Sequence, residues 1–341
     1  MLRDIRLPFF LPLLPLLFLL TACGGDQTET GDTDPPAGTE PAIAELSAEI
    51  SAQPRKAELY AQRARLYFDG GGYDEAISDL TIALQIDSAN LGYHHALADV
   101  YLKYFRSRLA LRTLERAHQL DPADIETLLR LSEVQLTLKQ YDDALASADQ
   151  AIGLNGRNPE AFFLLGRIMK EQGDTSRAIN SFQEAVELDP ELTDAWINLG
   201  MLHAAVDGKR ALEFYDAAIA SDRYDVLPVH AKADYLRDRD DLNGAIALYR
   251  ETTRMDRQYS AGYFNAGLLL MEQDSVESAY REFDITLKND PLHVRAYFFR
   301  GYAAELLGRT DQARADYKSA LKMAPDYALP QEGMARLGDG N

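Results

Sequence analysis

The chain has 341 residues, is 46% hydrophobic and carries a formal charge of −19 with a single cysteine. Its length and apolar content allow a sizeable core. The charge weighs against nucleic acid or an anionic membrane surface as a partner, because phosphate recognition needs clustered Lys and Arg. A lone thiol excludes a disulfide framework and a cysteine-held zinc.

The first residues read as a targeting segment. Arg3 and Arg6 precede a 14-residue apolar run, Leu7 to Leu20, interrupted by Pro8, Pro12 and Pro15. That run is short of the roughly 20 residues a spanning helix needs, and prolines suit such a helix poorly. A charged start followed by an apolar run of this length is the secretory signal pattern. Leu20-Thr21-Ala22-Cys23 resembles the lipobox of bacterial lipoproteins, in which the cysteine is lipidated and becomes the N-terminus after cleavage. The resemblance implies a signal peptide over 1–22, a lipid anchor on Cys23 and an exported, outer-membrane-anchored protein. An ordinary signal peptide with an incidental cysteine is the plainer alternative.

Residues 24–54 carry seven acids (Asp26, Glu29, Asp32, Asp34, Glu40, Glu45 and Glu49) and no base. Up to residue 40 the stretch is also rich in Gly, Thr and Pro, a composition that cannot bury a core and suits a flexible acidic tether over 23–40. Ile43, Leu46 and Ile50 then fall at i, i+3 and i+7, which predicts a capping helix over 41–53, ended before Pro54.

From there a fixed beat governs the chain. Ala76, Ala110, Ala144, Ala178, Ala211, Ala245, Ala279 and Ala313 recur at intervals of 34, 34, 34, 33, 34, 34 and 34 residues. Such a period marks a stack of supersecondary units, each too small to bury its own apolar face. Around each alanine lie two helical clusters, shown most fully by Phe162, Leu165, Gly166 and Met169, then Ala178, Phe182, Ala185 and Pro190. Small residues at the eighth and twentieth positions let two helices cross closely, and proline stops the second helix.

These residues resemble the tetratricopeptide repeat, whose pattern is W-x2-L-G-x2-Y, then A-x3-F, then P. The resemblance implies an all-α, right-handed superhelix. It frames eight repeats: 57–90, 91–124, 125–158, 159–192, 193–225, 226–259, 260–293 and 294–327, with a C-terminal cap and tail over 328–341. The fifth repeat is one residue short, and the sequence places the loss around Asp207-Gly208-Lys209. Repeats five and six have Arg223 and Arg257 in place of the terminal proline, and repeat three has Gly156. Repeat six departs furthest, with Val229, Lys232 and Ala233 at framework positions, so a softer joint is expected near 206–232.

No motif with the spacing of a nucleophile, a phosphate loop or a metal site is present. Gly70-Gly71-Gly72 falls where every repeat turns, and reads as a turn. His95 with Asp99, and His230 with Asp234, make i, i+4 pairs that read as solvated side chains. The chain is therefore expected to have no enzymatic activity and no cofactor or metal.

In proteins of this family the first helices line the concave wall, and ligands usually lie there. Reading the inward positions gives two apolar patches: Leu129, Phe163, Ile197 and Met201, then Phe264, Leu268, Met271, Phe298 and Tyr302. Apolar side chains clustered in a groove mark a binding surface, unless curvature packs them against neighbouring helices and makes them core. Asn198 and Asn265 sit at the sixth position, but no Lys/Asn/Arg set accompanies them to clamp a partner's C-terminal carboxylate. The expectation is a membrane-anchored scaffold that docks a protein segment or helix in its groove, within the bacterial cell envelope. A carrier holding a small molecule or glycan in the same groove is the alternative. Nothing in the sequence assigns an oligomeric state.

Overall fold

The computed structural model describes residues 39–338. The Leu7–Leu20 run, Cys23 and the acidic residues up to Asp34 lie outside the described residues. Among the described residues there are eighteen helices and no strand. None of these helices is long and apolar enough to cross a membrane.

A first helix, α1 (Thr39–Ala52), is followed by hairpins: α2 (Ala57–Asp69) with α3 (Tyr73–Ile86), α4 (Leu91–Lys103) with α5 (Ser107–Leu120), and α6 (Ile125–Thr137) with α7 (Tyr141–Leu154). The series continues with α8 (Pro159–Glu171) and α9 (Thr175–Leu188), α10 (Thr193–His203) and α11 (Gly208–Ser221), and α12 (Val226–Arg237) and α13 (Leu242–Met255). It ends with α14 (Ser260–Glu272) and α15 (Val276–Asn289), α16 (Val294–Leu306) and α17 (Thr310–Met323), and a last helix, α18 (Ala328–Leu337).

The alanine beat is a packing requirement. All eight periodic alanines are fully buried in the second helix of their pair. The first helix answers with a small residue where the second presents a ring. A Cβ added to Gly166 would lie 2.7 Å from the Phe182 ring, one on Gly200 2.8 Å from Tyr215, and one on Gly267 2.7 Å from Phe283. Any side chain there would drive the two helices apart.

The turn inside each hairpin has its own rule. Gly71, Phe105, Lys139, Gly173, Asp240, Asp274 and Gly308 all have positive φ, from 56° to 81°. The residue after each donates its N–H to the carbonyl five residues back, as in Gly72 to Tyr67 (2.8 Å), Arg106 to Tyr101 (2.7 Å) and Arg309 to Ala304 (2.8 Å). This left-handed C-terminal cap satisfies carbonyls that the helix end leaves free. The fifth hairpin has no such residue. Its turn runs over 204–207, where Val206 and Asp207 both donate to the His203 carbonyl. The missing residue is therefore the left-handed one, and Gly208 and Lys209 belong to α11 rather than to the turn.

Six of the second helices stop on a side-chain turn. Asp121, Asn155, Asp189, Asp222, Asp256 and Asp290 each follow a helix end and accept the N–H two residues on, at 2.8 to 3.1 Å. This side-chain turn competes with the helix for the backbone. It explains why Gly156, Arg223 and Arg257 can replace the proline. The thinnest joint between successive helices is that of α11 with α12, inside the stretch where the sequence suggests a softer one.

Candidate functional site

Even-numbered helices approach one another across hairpins (α6 with α8, α10 with α12, α14 with α16), which the odd-numbered helices do not do to the same extent. The stack therefore curves towards the even row, and that row forms the inner wall. A recess lies where α6, α8 and α10 face each other, a cavity of about 670 Å³ lined by Leu136, Tyr141 and Phe163.

The chemistry of this recess comes from the third turn of α8. Phe163, half-buried, rests against Phe182 with ring centroids 5.8 Å apart, and the Arg167 guanidinium lies 5.8 Å over its ring. Arg167 also pairs with Glu133 of α6 at 3.2 Å. Lys170 donates to Oδ1 of Asn198 on α10 at 2.7 Å, while the Asn198 amide donates to the Asp194 carbonyl. Burial lowers the Lys170 ammonium's pKa, with a further push from Arg167 against the pull of Glu171. The recess thus offers one aromatic face, a partly desolvated ammonium, and carboxylates at the rim from Glu133, Glu171 and Asp194. Such a mixture orients a polar backbone and seats an apolar side chain; it contains no paired base and nucleophile.

The candidate contact residues divide in two. Phe163 lines the recess, Met201 is 49% exposed on α10, and Ile197 is half-buried against the Tyr215 cluster. Leu129 is buried among Leu128, Ala151, Ala161 and Leu164 and offers no contact surface. The C-terminal patch is corrected more strongly. Phe264 and Phe298 are 5% and 6% exposed. Phe264 packs on His293 at 4.5 Å, and Phe298 on Tyr302 and Tyr327 at 6.1 and 5.6 Å. Leu268, Met271 and Tyr302 lie half-buried around that core. In these two hairpins the fifth-position ring meets the link or first helix that follows, Phe264 on His293 and Phe299 and Phe298 on Tyr327, whereas the fifth-position Phe163 meets no such neighbour and stays open to the recess.

Lys170 sits at an inward position, the twelfth of its repeat. Carrying the inward count past the fifth and ninth positions would have found it; its partner Asn198 is the sixth-position residue already named from the sequence.

The two histidines expected to be solvated are not. His95 is buried, its Nε2 2.7 Å from Thr127 Oγ1, which itself donates to Asp124. Its carboxylate neighbours come from the next hairpin, Glu126 at 3.4 Å and Asp124 at 3.6 Å, and Asp99 is engaged by Arg130 instead. His230 does face Asp234, at 3.6 Å, and packs against Tyr249 and Tyr259. Burial pushes both imidazoles' pKa values down. Among the described residues no group of three or more His, Cys, Asp or Glu side chains is placed to hold a metal ion.

Comparison with known proteins agrees with this architecture. The tetratricopeptide repeat family matches residues 264–328 under one description and residues 166–206 under another, "TPR repeat". The chain is 27% identical over 170 residues to human protein O-mannosyl-transferase TMTC1, covering 48% of this chain and 19% of that protein. It is 25% identical over 299 residues to human DnaJ homolog subfamily C member 7, covering 87% of this chain and 55% of that one. The crystal structure of the APC/C hetero-tetramer Cut9-Hcn1 superposes with a TM-score of 0.51 at 15% identity, covering 88% of this chain and 59% of that chain. The chain thus spans little more than half the length of these relatives at most. Helix hairpins stacked at this period, with these matches, identify tetratricopeptide repeats within the chain over 166–206 and 264–328.

Proposed function

We propose that this protein is an adaptor that holds a protein segment in the recess between α6, α8 and α10, and that it is tied to a bacterial envelope membrane by a lipid on Cys23. The observation that carries the first part is the recess itself, with Phe163 as an aromatic floor and Lys170 and Asn198 reaching towards each other across two helices. A segment laid along the groove gains affinity by burying an apolar side chain on Phe163 and Met201 while its backbone meets Lys170 and Arg167. The proposed role is non-enzymatic. Similarity to the transferase covers 19% of that protein, so its activity is not carried over.

The anchor rests on the sequence alone, on Leu20-Thr21-Ala22-Cys23 after a charged and apolar start. One acyl chain binds membranes marginally, whereas the lipoprotein modification adds several and anchors stably. Export to the envelope and an outer-membrane address belong to the same proposal.

A benzophenone-bearing residue at position 163 captures a protein in envelope extracts if the reading is right. Capture that survives Lys170→Glu with Asn198→Asp would show that the recess is not the site. The recess volume also lies in the range of small-molecule sites, which supports the carrier as a second reading. A soluble ligand that co-purifies, with no captured protein, would favour it. Labelling with radioactive fatty acid tests the anchor, and equal labelling of wild type and Cys23→Ser would sink it.

A further inference from the structure

The hairpin turns share one edge of the stack, and one of them differs from the rest. Consecutive helices pack against each other and are joined by short segments, so they alternate in direction. Even-numbered helices therefore end, and odd-numbered helices begin, on the turn edge, while the links between hairpins lie on the opposite edge. From the last residue of the first helix to the third of the second, seven of the eight turns carry at least one acid. The turn of α4 with α5, Lys103 to Leu109, carries none and holds three bases, Lys103, Arg106 and Arg108. All three are exposed. Among the described residues Lys103 and Arg108 have no ion-pair partner, and Arg106 reaches Asp74 at 4.0 Å.

At the tip of this turn stands Phe105. Its ring is almost fully exposed, on a backbone held at φ 56°. That conformation is unfavourable for any residue with a side chain, and an exposed ring returns nothing to the fold. The base of the turn is stiff. The Arg106 guanidinium lies 4.3 Å over the Tyr104 ring, Tyr104 packs on Tyr73 at 5.4 Å, and its hydroxyl donates to Asp74 at 3.3 Å. Phe105 is thus carried on a braced support.

An apolar tip flanked by bases, with a tyrosine behind it, has the layering of an anionic bilayer surface. Bases suit the headgroups, tyrosine the interface, and a phenyl ring the acyl chains just below. The direction of the chain agrees, because α1 begins at Thr39 on the same edge. The remaining charge sets the pose. The neighbouring turns carry Asp69 and Glu75 on one side and Asp142 and Asp143 on the other, and an anionic surface repels them, so contact is confined to this turn. We infer that the α4–α5 turn is a membrane-contact loop, in which Phe105 enters an anionic lipid bilayer and Lys103, Arg106 and Arg108 meet its headgroups. The inference rests on the proposed tether for its setting: the tether holds the protein at the membrane, and the loop turns this edge towards the lipid.

The test uses the full chain in a Cys23→Ser background, which has neither the lipid nor another cysteine. An environment-sensitive dye on Ser107→Cys, two residues from the ring, reports the loop. The same dye on Tyr224→Cys reports an exposed aromatic position on the opposite edge. Vesicles of phosphatidylglycerol are expected to shift the emission to the blue at position 107 and leave it unchanged at 224. Phe105→Gly should raise the vesicle concentration for half-maximal shift by about tenfold, as expected when one ring is withdrawn from apolar surroundings. That substitution relieves the backbone, so its loss of binding is not a loss of fold. Lys103→Gln with Arg108→Gln should also raise it by about tenfold, and phosphatidylcholine vesicles should give little shift. No shift at 107, equal shifts at 107 and 224, a shift indifferent to Phe105→Gly, or equal shifts with both lipids would each overturn the inference. Equal fatty-acid labelling of wild type and Cys23→Ser would remove the tether and leave this result standing, since every arm lacks the lipid.

Discussion

The two ends of the stack share one helical lattice but fill it differently. From Ala233 to Leu337 the buried side chains form one contiguous cluster, with Tyr249, Phe264, Phe283, Phe298, Phe299 and Tyr317 linking pair to pair. Between Leu46 and Leu164 the core breaks into four smaller clusters and the beginning of a fifth around Phe182. The fifth position shows why. In α14 it holds Phe264, whose ring reaches His293 and Phe299 of the next unit. In α4 it holds His95, whose ring spends its contacts on Thr127 and two carboxylates. Backbone geometry sets where units meet, and side-chain choice sets whether the meeting is apolar and continuous or polar and local.

That contrast can be broken most sharply by truncating one ring. Phe283→Ala should cost about 3–5 kcal/mol, and loss of hydrogen-exchange protection should spread from α14 to α18 because the cluster is shared. Leu114→Ala, equally buried at the matching place in α5, should cost about 2–5 kcal/mol and expose only α4 to α6. If the Phe283→Ala effect stays within its own hairpin, the contiguous cluster does not act as a unit.

The terminal hairpins invite a second test. Arg63 pairs with Asp79 at 2.7 Å in the first hairpin and Arg300 with Asp316 at 2.6 Å in the last, each sixteen residues apart, where most inner pairs place leucine. Asp316 is 2% exposed, so Asp316→Ala leaves a buried guanidinium half-paired and should cost about 3 kcal/mol in urea unfolding. Asp284 also contacts Arg300, which limits the loss.

Acid should act most visibly at the polar joints. His95, His203, His230 and His293 all have folded pKa values below the ordinary imidazole value, with burial the main cause. The unfolded chain then binds protons first as pH falls, so stability is full above about pH 6.5 and declines towards the folded-state pKa values. His95→Gln can keep a donor to Thr127 without titrating, and its stability should fall less steeply between pH 7 and 5 than that of wild type. At the alkaline end, burial pushes Tyr215 up to about 12, so stability falls as pH rises through the unfolded value near 10.

The smallest expected effect is a gain. Phe105 holds φ 56° at a turn where Gly71, Gly173 and Gly308 stand in other hairpins, and its side chain is 95% exposed. Phe105→Gly should stabilise by about 1 kcal/mol by relieving the left-handed backbone. A thermal midpoint that does not rise would show that the ring has a contact worth the strain.

The hairpin lattice was legible in the sequence because a single physical constraint, close helix crossing, demands alanine or glycine at two fixed places. The left-handed turn position was less so. Phe105, Lys139, Asp240 and Asp274 occupy it in four hairpins and hide the glycine signal. Helix stops were read from proline when Asp or Asn before it does the work. The groove was half legible. Inward positions can be counted from the repeat, but burial at those positions depends on what the next hairpin presents. That is why Phe163 faces the recess while Phe264 and Phe298 are core.

The shortened turn has a consequence for folding. A stack of near-identical units is degenerate, since a second helix from one hairpin fits the first helix of several others almost equally well. Around the shortened turn, side chains of the next unit reach back to the backbone, with Arg239 donating to the Ala204 carbonyl and Tyr235 to the carbonyl of Gly208 at the start of α11. Only one neighbour carries that pair. The defect in the period is thus a unique key in an otherwise repetitive lock, and it tells the folding chain which unit comes next.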